Sequence, residues 1–111
     1  MSTVLLVDDT DLVRGLMTVA LESAGHEVIA SALPSEALQA AAAHGGVDVL
    51  VADLVMPEMD AFELAEKLTS KYPSLRVLYV SGYADASTEG AFLAKPFSPA
   101  QLTQAVAALA A

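Results

Sequence analysis

Four short apolar runs in this chain each end in a reactive side chain. Val4-Leu5-Leu6-Val7 leads into Asp8-Asp9, and Val47-Asp48-Val49-Leu50-Val51-Ala52 leads into Asp53. Val77-Leu78-Tyr79-Val80 leads into Ser81, and Ala91-Phe92-Leu93-Ala94 leads into Lys95-Pro96-Phe97. In an open parallel sheet covered by helices, functional groups gather in a crevice beyond the carboxyl ends of the strands. One such sheet would bring three carboxylates, a hydroxyl and an ammonium together. That set suits a divalent metal and a phosphoryl group.

The segments between these runs are helical in pattern. Leu12, Met17, Ala20, Leu21 and Ala24 recur at helical spacing over Asp11 to Ala24, and Gly25 is a stop signal. Glu27 to Ala30 is a short second strand. Pro34 opens a helix through His44, ended by Gly45-Gly46. After the strand Val47 to Ala52, the turn Met56-Pro57-Glu58-Met59 leads to a helix over Ala61 to Lys71. Its expected inner face is Phe62, Leu64, Ala65 and Leu68, and Pro73 breaks it. Leu75 to Val80 and Ala91 to Ala94 are the fourth and fifth strands. Ser98-Pro99 caps and starts a last helix through Leu109. This βα alternation predicts a doubly wound parallel sheet in one domain, residues 1–111, with Asp53 at the point where strand order reverses.

One connection is too short. Ten residues, Ser81 to Gly90, separate Val80 from Ala91. A parallel crossover normally takes a dozen or more residues and a helix, although ten extended residues still reach ~33–36 Å. Gly82, Asp85, Ser87, Thr88 and Gly90 make poor helix. The fourth crossover helix is therefore expected to be reduced or absent. One face of the fourth and fifth strands would then need cover from a second copy, an exchanged element or a partner.

Charge and composition exclude other classes. The 111 residues carry a net charge of −9, from 14 acidic and five basic residues. Five scattered cations do not make the basic face that nucleic acid requires. No apolar run approaches the ~18 residues that span a bilayer, and no signal pattern precedes the first strand, so a cytoplasmic, membrane-free protein is expected. There is no cysteine to form a disulfide. Met1 lies close to the first strand and the chain stops after one last helix. A stand-alone protein without an output domain is the corresponding expectation.

Phosphoryl transfer to a carboxylate needs a nucleophilic oxygen, a metal and fixed cations or donors. Asp53, a single acid after a buried strand, is the candidate nucleophile. Asp8 and Asp9 force two like charges together, which a cation between them would relieve; such oxygen ligands select Mg²⁺ or Mn²⁺. Lys95 supplies a compact cation and Ser81 a hydroxyl. His26, His44 and Arg14 are read as surface residues and Met17 as core. Tyr83 is either an exposed loop residue or a cover for the phosphate.

Val-Asp-Asp at 7–9, Asp53-Leu-Val-Met-Pro-Glu-Met-Asp60, Ser81-Gly82-Tyr83 and Phe92-Leu-Ala-Lys95-Pro96-Phe97 together resemble the receiver domain of two-component response regulators. The likeness covers nearly the whole chain. It implies a flavodoxin-like strand order 2-1-3-4-5 and phosphorylation of Asp53 by a histidine kinase or a histidine phosphotransfer protein. It also implies that Asp9, Asp53 and the Val55 backbone carbonyl bind Mg²⁺, with Asp8 acting through a water. Ser81 would move toward the phosphoryl group, Phe92 would be the switch aromatic, and Lys95-Pro96 would be a cis peptide that aims the lysine. Asp60-Ala61 departs from the family's usual Asp-Gly, and would be strained if that position needs a positive φ.

Three functions follow. The first is a phosphorylation switch that signals by protein–protein contact and catalyses only its own phosphorylation and dephosphorylation. The second is a phosphate sink that drains a shared kinase by rapid hydrolysis. The third, a metal-dependent hydrolase or flavin protein on a similar fold, is disfavoured. No glycine-rich cradle follows the first strand, and Val55 stands where a second acid would.

Overall fold

The computed structural model describes residues 2–82 and 91–110. The chain runs β1 (Thr3–Val7), α1 (Asp11–Ser23), β2 (Glu27–Ser31), α2 (Pro34–His44), β3 (Val49–Asp53) and α3 (Ala61–Lys71). It continues through β4 (Arg76–Ser81), β5 (Ala91–Ala94) and α4 (Pro99–Ala110). The strands form one parallel sheet in the order β2-β1-β3-β4-β5. Strand order reverses between β1 and β3, which places Asp8 and Asp53 at the mouth of that crevice, as expected. The expectation of a reduced fourth crossover falls on residues 83–90, outside the described residues, as does Tyr83.

Period-two alternation splits the strand residues between two cores. Leu5, Val7, Leu50, Ala52 and Tyr79 face α2 and α3, where Ala37, Ala41, Leu64 and Leu68 meet them. Val4, Leu6, Val49, Val51, Leu78 and Val80 face α1 and α4, against Met17, Leu21, Leu102 and Val106. Each fully buried leucine contributes about 1.5–3 kcal/mol relative to exposure. Alanines at the α2 contact let that helix sit close to the sheet.

The helix ends follow local chemistry. The Asp60 carboxylate accepts from the Glu63 N–H at 2.8 Å and caps α3. Ser98 and Gln101 cap α4 reciprocally, Oγ accepting from Gln101 N and Oε1 from Ser98 N. Gly45 ends α2 in the left-handed region at φ 87°.

The helix faces are set by the sheet, and on α3 one expectation needs correction. On α1 the buried residues are Met17 and Leu21, supported by Val13 and Ala20, whereas Leu12 is 72% exposed and Ala24 is also at the surface. On α3 the inner position belongs to Ala61. Phe62 is 46% exposed and lays its ring 4.8 Å from that of Tyr79 at the rim of the core. Ala61 itself is helical and fully buried, so alanine is unstrained there. Among the described residues, the non-glycine residue with positive φ is Glu58, at 72°.

Candidate functional site

Asp8 follows β1 and is completely buried. One carboxylate oxygen accepts from the Thr10 N–H at 2.8 Å and the other from Lys95 Nζ at 2.9 Å. Its backbone is fixed as well. The N–H donates to the Ser31 carbonyl at 3.2 Å, and the Asp8 carbonyl accepts from the Arg14 guanidinium at 2.8 Å. Arg14 also pairs with Asp11, one helical turn away. Arg14 is thus more than the surface residue expected; its signal was its place on the first turns of the helix that follows the acidic pair.

Asp53 ends β3 with little exposure. Its Oδ1 accepts from the Val55 N–H at 3.0 Å and its Oδ2 from Lys95 Nζ at 2.7 Å. Asp9 is exposed, yet ligand oxygens of Asp8, Asp9 and Asp53 all lie within 4.8 Å of one another. Lys95 reaches the crevice from beyond β5. Its N–H donates to the Ser81 carbonyl at 2.7 Å, and the Lys95–Pro96 bond is cis. Burial lowers the Lys95 pKa, but its hydrogen bonds to Asp53 and Asp8 and their negative charges outweigh this, so the value stands above that of an ordinary lysine. The ammonium is therefore charged at neutral pH.

Ser81 is buried at the end of β4, beside Ala94 in register. Phe92 is half-buried, opposite Tyr79 in register, and packs on the α2/α3 core. Burial, then the charge of Asp60, raises the Tyr79 pKa and keeps its phenol neutral. The Val55 side chain is exposed beside the site. The structure thus brings Asp8, Asp9, Asp53 and Lys95 together, with Ser81 and Val55 on the strands and loop that frame them.

Three carboxylates face one ammonium, which leaves the cluster short of positive charge. The donors are all hard oxygens, with no thiol or imidazole among them. They fit Mg²⁺ or Mn²⁺ and not a soft metal.

This strand order, with acids beyond β1 and β3 and a lysine beyond β5, defines a flavodoxin-like fold with an acidic crevice. The chain belongs to the response regulator receiver domain family, whose profile matches residues 4–107. It is 42% identical over 114 residues to the sensor kinase CckA of Brucella abortus (strain 2308), spanning 95% of this chain but 12% of that protein. The receiver protein CpdR of the same strain is 34% identical over 108 residues, covering 87% of each. Among solved structures, the receiver domain of the hybrid histidine kinase CckA superposes with a TM-score of 0.87 at 32% identity, over 98% of this chain and 99% of that one. The chemotaxis response regulator CheY4 of Vibrio cholerae, crystallised at low pH, gives 0.88 at 27% identity, over 98% of each chain.

Proposed function

We propose that Asp53 accepts a phosphoryl group from a phosphohistidine of a histidine kinase or phosphotransfer protein, in a Mg²⁺-dependent reaction. The observation that carries this reading is one lysine ammonium bridging Asp8 and Asp53 at 2.9 and 2.7 Å. An oxygen of Asp53 attacks phosphorus, the P–N bond to the imidazole breaks, and the imidazole leaves with that electron pair. Asp9, Asp53 and the Val55 carbonyl would hold the ion, with Asp8 acting through a water. When bound, Mg²⁺ supplies positive charge to the phosphoryl oxygens. Lys95, held by Asp8 and Asp53, supplies a second cation for the phosphoryl oxygens, and Ser81 donates from its hydroxyl. Phe92 is the residue whose packing reports the change. The chain acts as one cytoplasmic regulatory domain. Among the described residues no helix is long and apolar enough to cross a membrane.

Incubation with acetyl phosphate and Mg²⁺ is expected to add ~80 Da to the chain, on the peptide that contains Asp53. An unchanged mass, with no Mg²⁺ bound in calorimetry, overturns the proposal. Decay of the adduct within seconds would favour the phosphate sink over the switch.

The donor docks on α1. Leu12, Leu16 and Val19 lie at helical spacing and are 72%, 63% and 63% exposed. Leu16 and Val19 line an apolar groove of about 770 Å³ between α1 and α4, which ends on Lys95, Pro96 and Phe97. A helix seated there would bring its histidine to the rim of the crevice, which a direct transfer to Asp53 requires. Leu16→Asp is expected to slow transfer from a phosphohistidine protein about tenfold or more. Labelling by acetyl phosphate should be unchanged. Equal loss with both donors would refute the surface.

A further inference from the structure

Glu58 sits in the turn between Asp53 and α3 with φ 72°, a region that favours glycine. A glutamate kept there asks for a reason in its side chain, and the contacts supply one. Its two carboxylate oxygens accept from Ser35, Oε1 from the backbone N–H at 2.9 Å and Oε2 from the hydroxyl at 3.0 Å. Ser35 is the second residue of α2. That helix has Leu33 at its N-cap and receives no cap from it. A carboxylate 23 residues away in sequence does the work of the missing cap, where the partial positive charge of a helix start favours an anion.

The turn therefore has two anchored ends and a brace. Val55 N–H bonds Asp53, Asp60 caps α3, and Glu58 ties the middle to α2. Met56 and Met59, on either side of Pro57-Glu58, pack on the core that α2 and α3 share. We propose that Glu58 is a positioning residue for the acceptor site. By bracing the turn on the start of α2 it holds Val55, and with it Asp53, in the geometry that receives metal and phosphate. This inference rests on the reading of Asp53 and Val55 given above.

Glu58→Asn tests it. Asparagine tolerates the left-handed backbone, so the turn remains allowed, but it is one methylene too short to reach Ser35. Glu58→Gln keeps the reach and removes the charge. In metal-free protein, Glu58→Asn is expected to speed amide exchange at Ser35 and at residues 54–56 about threefold to tenfold, and to weaken Mg²⁺ binding by a similar factor. Phosphorylation by acetyl phosphate at limiting Mg²⁺ should slow in parallel, and recover at saturating Mg²⁺. Glu58→Gln should stay within about twofold of wild type on all three readings. In a Ser35→Ala background, Glu58→Asn should have a smaller effect, because part of the brace is already gone.

Wild-type exchange and Mg²⁺ affinity in Glu58→Asn would overturn the inference. Equal losses of Mg²⁺ affinity in the Asn and Gln variants, with wild-type amide exchange at Ser35, would also overturn it, since charge near the metal would then be the cause. If the wild type takes neither Mg²⁺ nor phosphate, the reading of the site fails. The exchange comparison in metal-free protein would still report whether the brace exists.

Discussion

Asp53→Asn is expected to carry no ~80 Da adduct with any phosphodonor, with labelling at least about 10³-fold slower than wild type. The substitution is close to isosteric. The amide oxygen can still accept from the Val55 N–H or from Lys95, so the site keeps its shape while the nucleophilic oxygen is lost. Stability should not fall with activity. In the metal-free protein Asp53 lies close to two other carboxylates and one ammonium. Removing its charge relieves two repulsions and gives up one attraction, a balance worth within about 1 kcal/mol, screened where Asp9 meets solvent. A melting temperature at or above that of the wild type, together with no adduct, separates chemistry from folding. A comparable adduct on Asp53→Asn would move the acceptor to Asp8 or Asp9.

What could be read in the sequence, and what could not, divides by the range of the interaction. The strand ends were legible because a buried parallel strand is a continuous apolar run, and its first reactive residue marks where it leaves the core. Hence the places of Asp8, Asp53, Ser81 and Lys95 at strand ends follow from the sequence. The buried face of α1 does not follow from spacing, because that helix carries two apolar stripes. Leu12, Leu16 and Val19 repeat as regularly as Val13, Met17 and Leu21, and periodicity alone gives no phase relative to the sheet. Hydrophobicity points Phe62 inward, but Ala61, Leu64, Ala65 and Leu68 fill that face, and the ring settles over Tyr79 instead. Nothing local to Glu58 announces its bond to Ser35, because the partner is set by how α2 packs beside the β3–α3 turn. The left-handed position of this turn is Glu58, three residues before Ala61.

Lys95→Met is the substitution expected to damage both roles of the crevice. Methionine keeps the length and apolar stem and removes the ammonium that bridges Asp8 and Asp53. Phosphoryl transfer should slow about 10²–10³-fold, the usual loss when one fixed charge aimed at the transferring group is deleted. Stability without metal should fall by about 2 kcal/mol at neutral pH. Asp8 is fully buried and loses its cation, while partial exposure of Lys95 and Asp53 keeps the loss below that of a sealed pair. Mg²⁺ should restore much of that stability, by taking the lysine's place among the carboxylates. The pH dependence gives an independent check. The Lys95 pKa is higher in the folded chain than in the unfolded one, so the folded state holds the proton more tightly. Its contribution is full below the ordinary lysine value of about 10.4 and is lost as pH rises through the raised folded value. The difference in urea midpoint between wild type and Lys95→Met should therefore be constant from about pH 7 to 9 and shrink above about pH 10.5. Tyr79, also raised, titrates in both chains and cancels from that difference. A variant phosphorylated within about threefold of the wild-type rate would refute the electrostatic role. A stability difference unchanged through that alkaline range would refute the ion pair as its source.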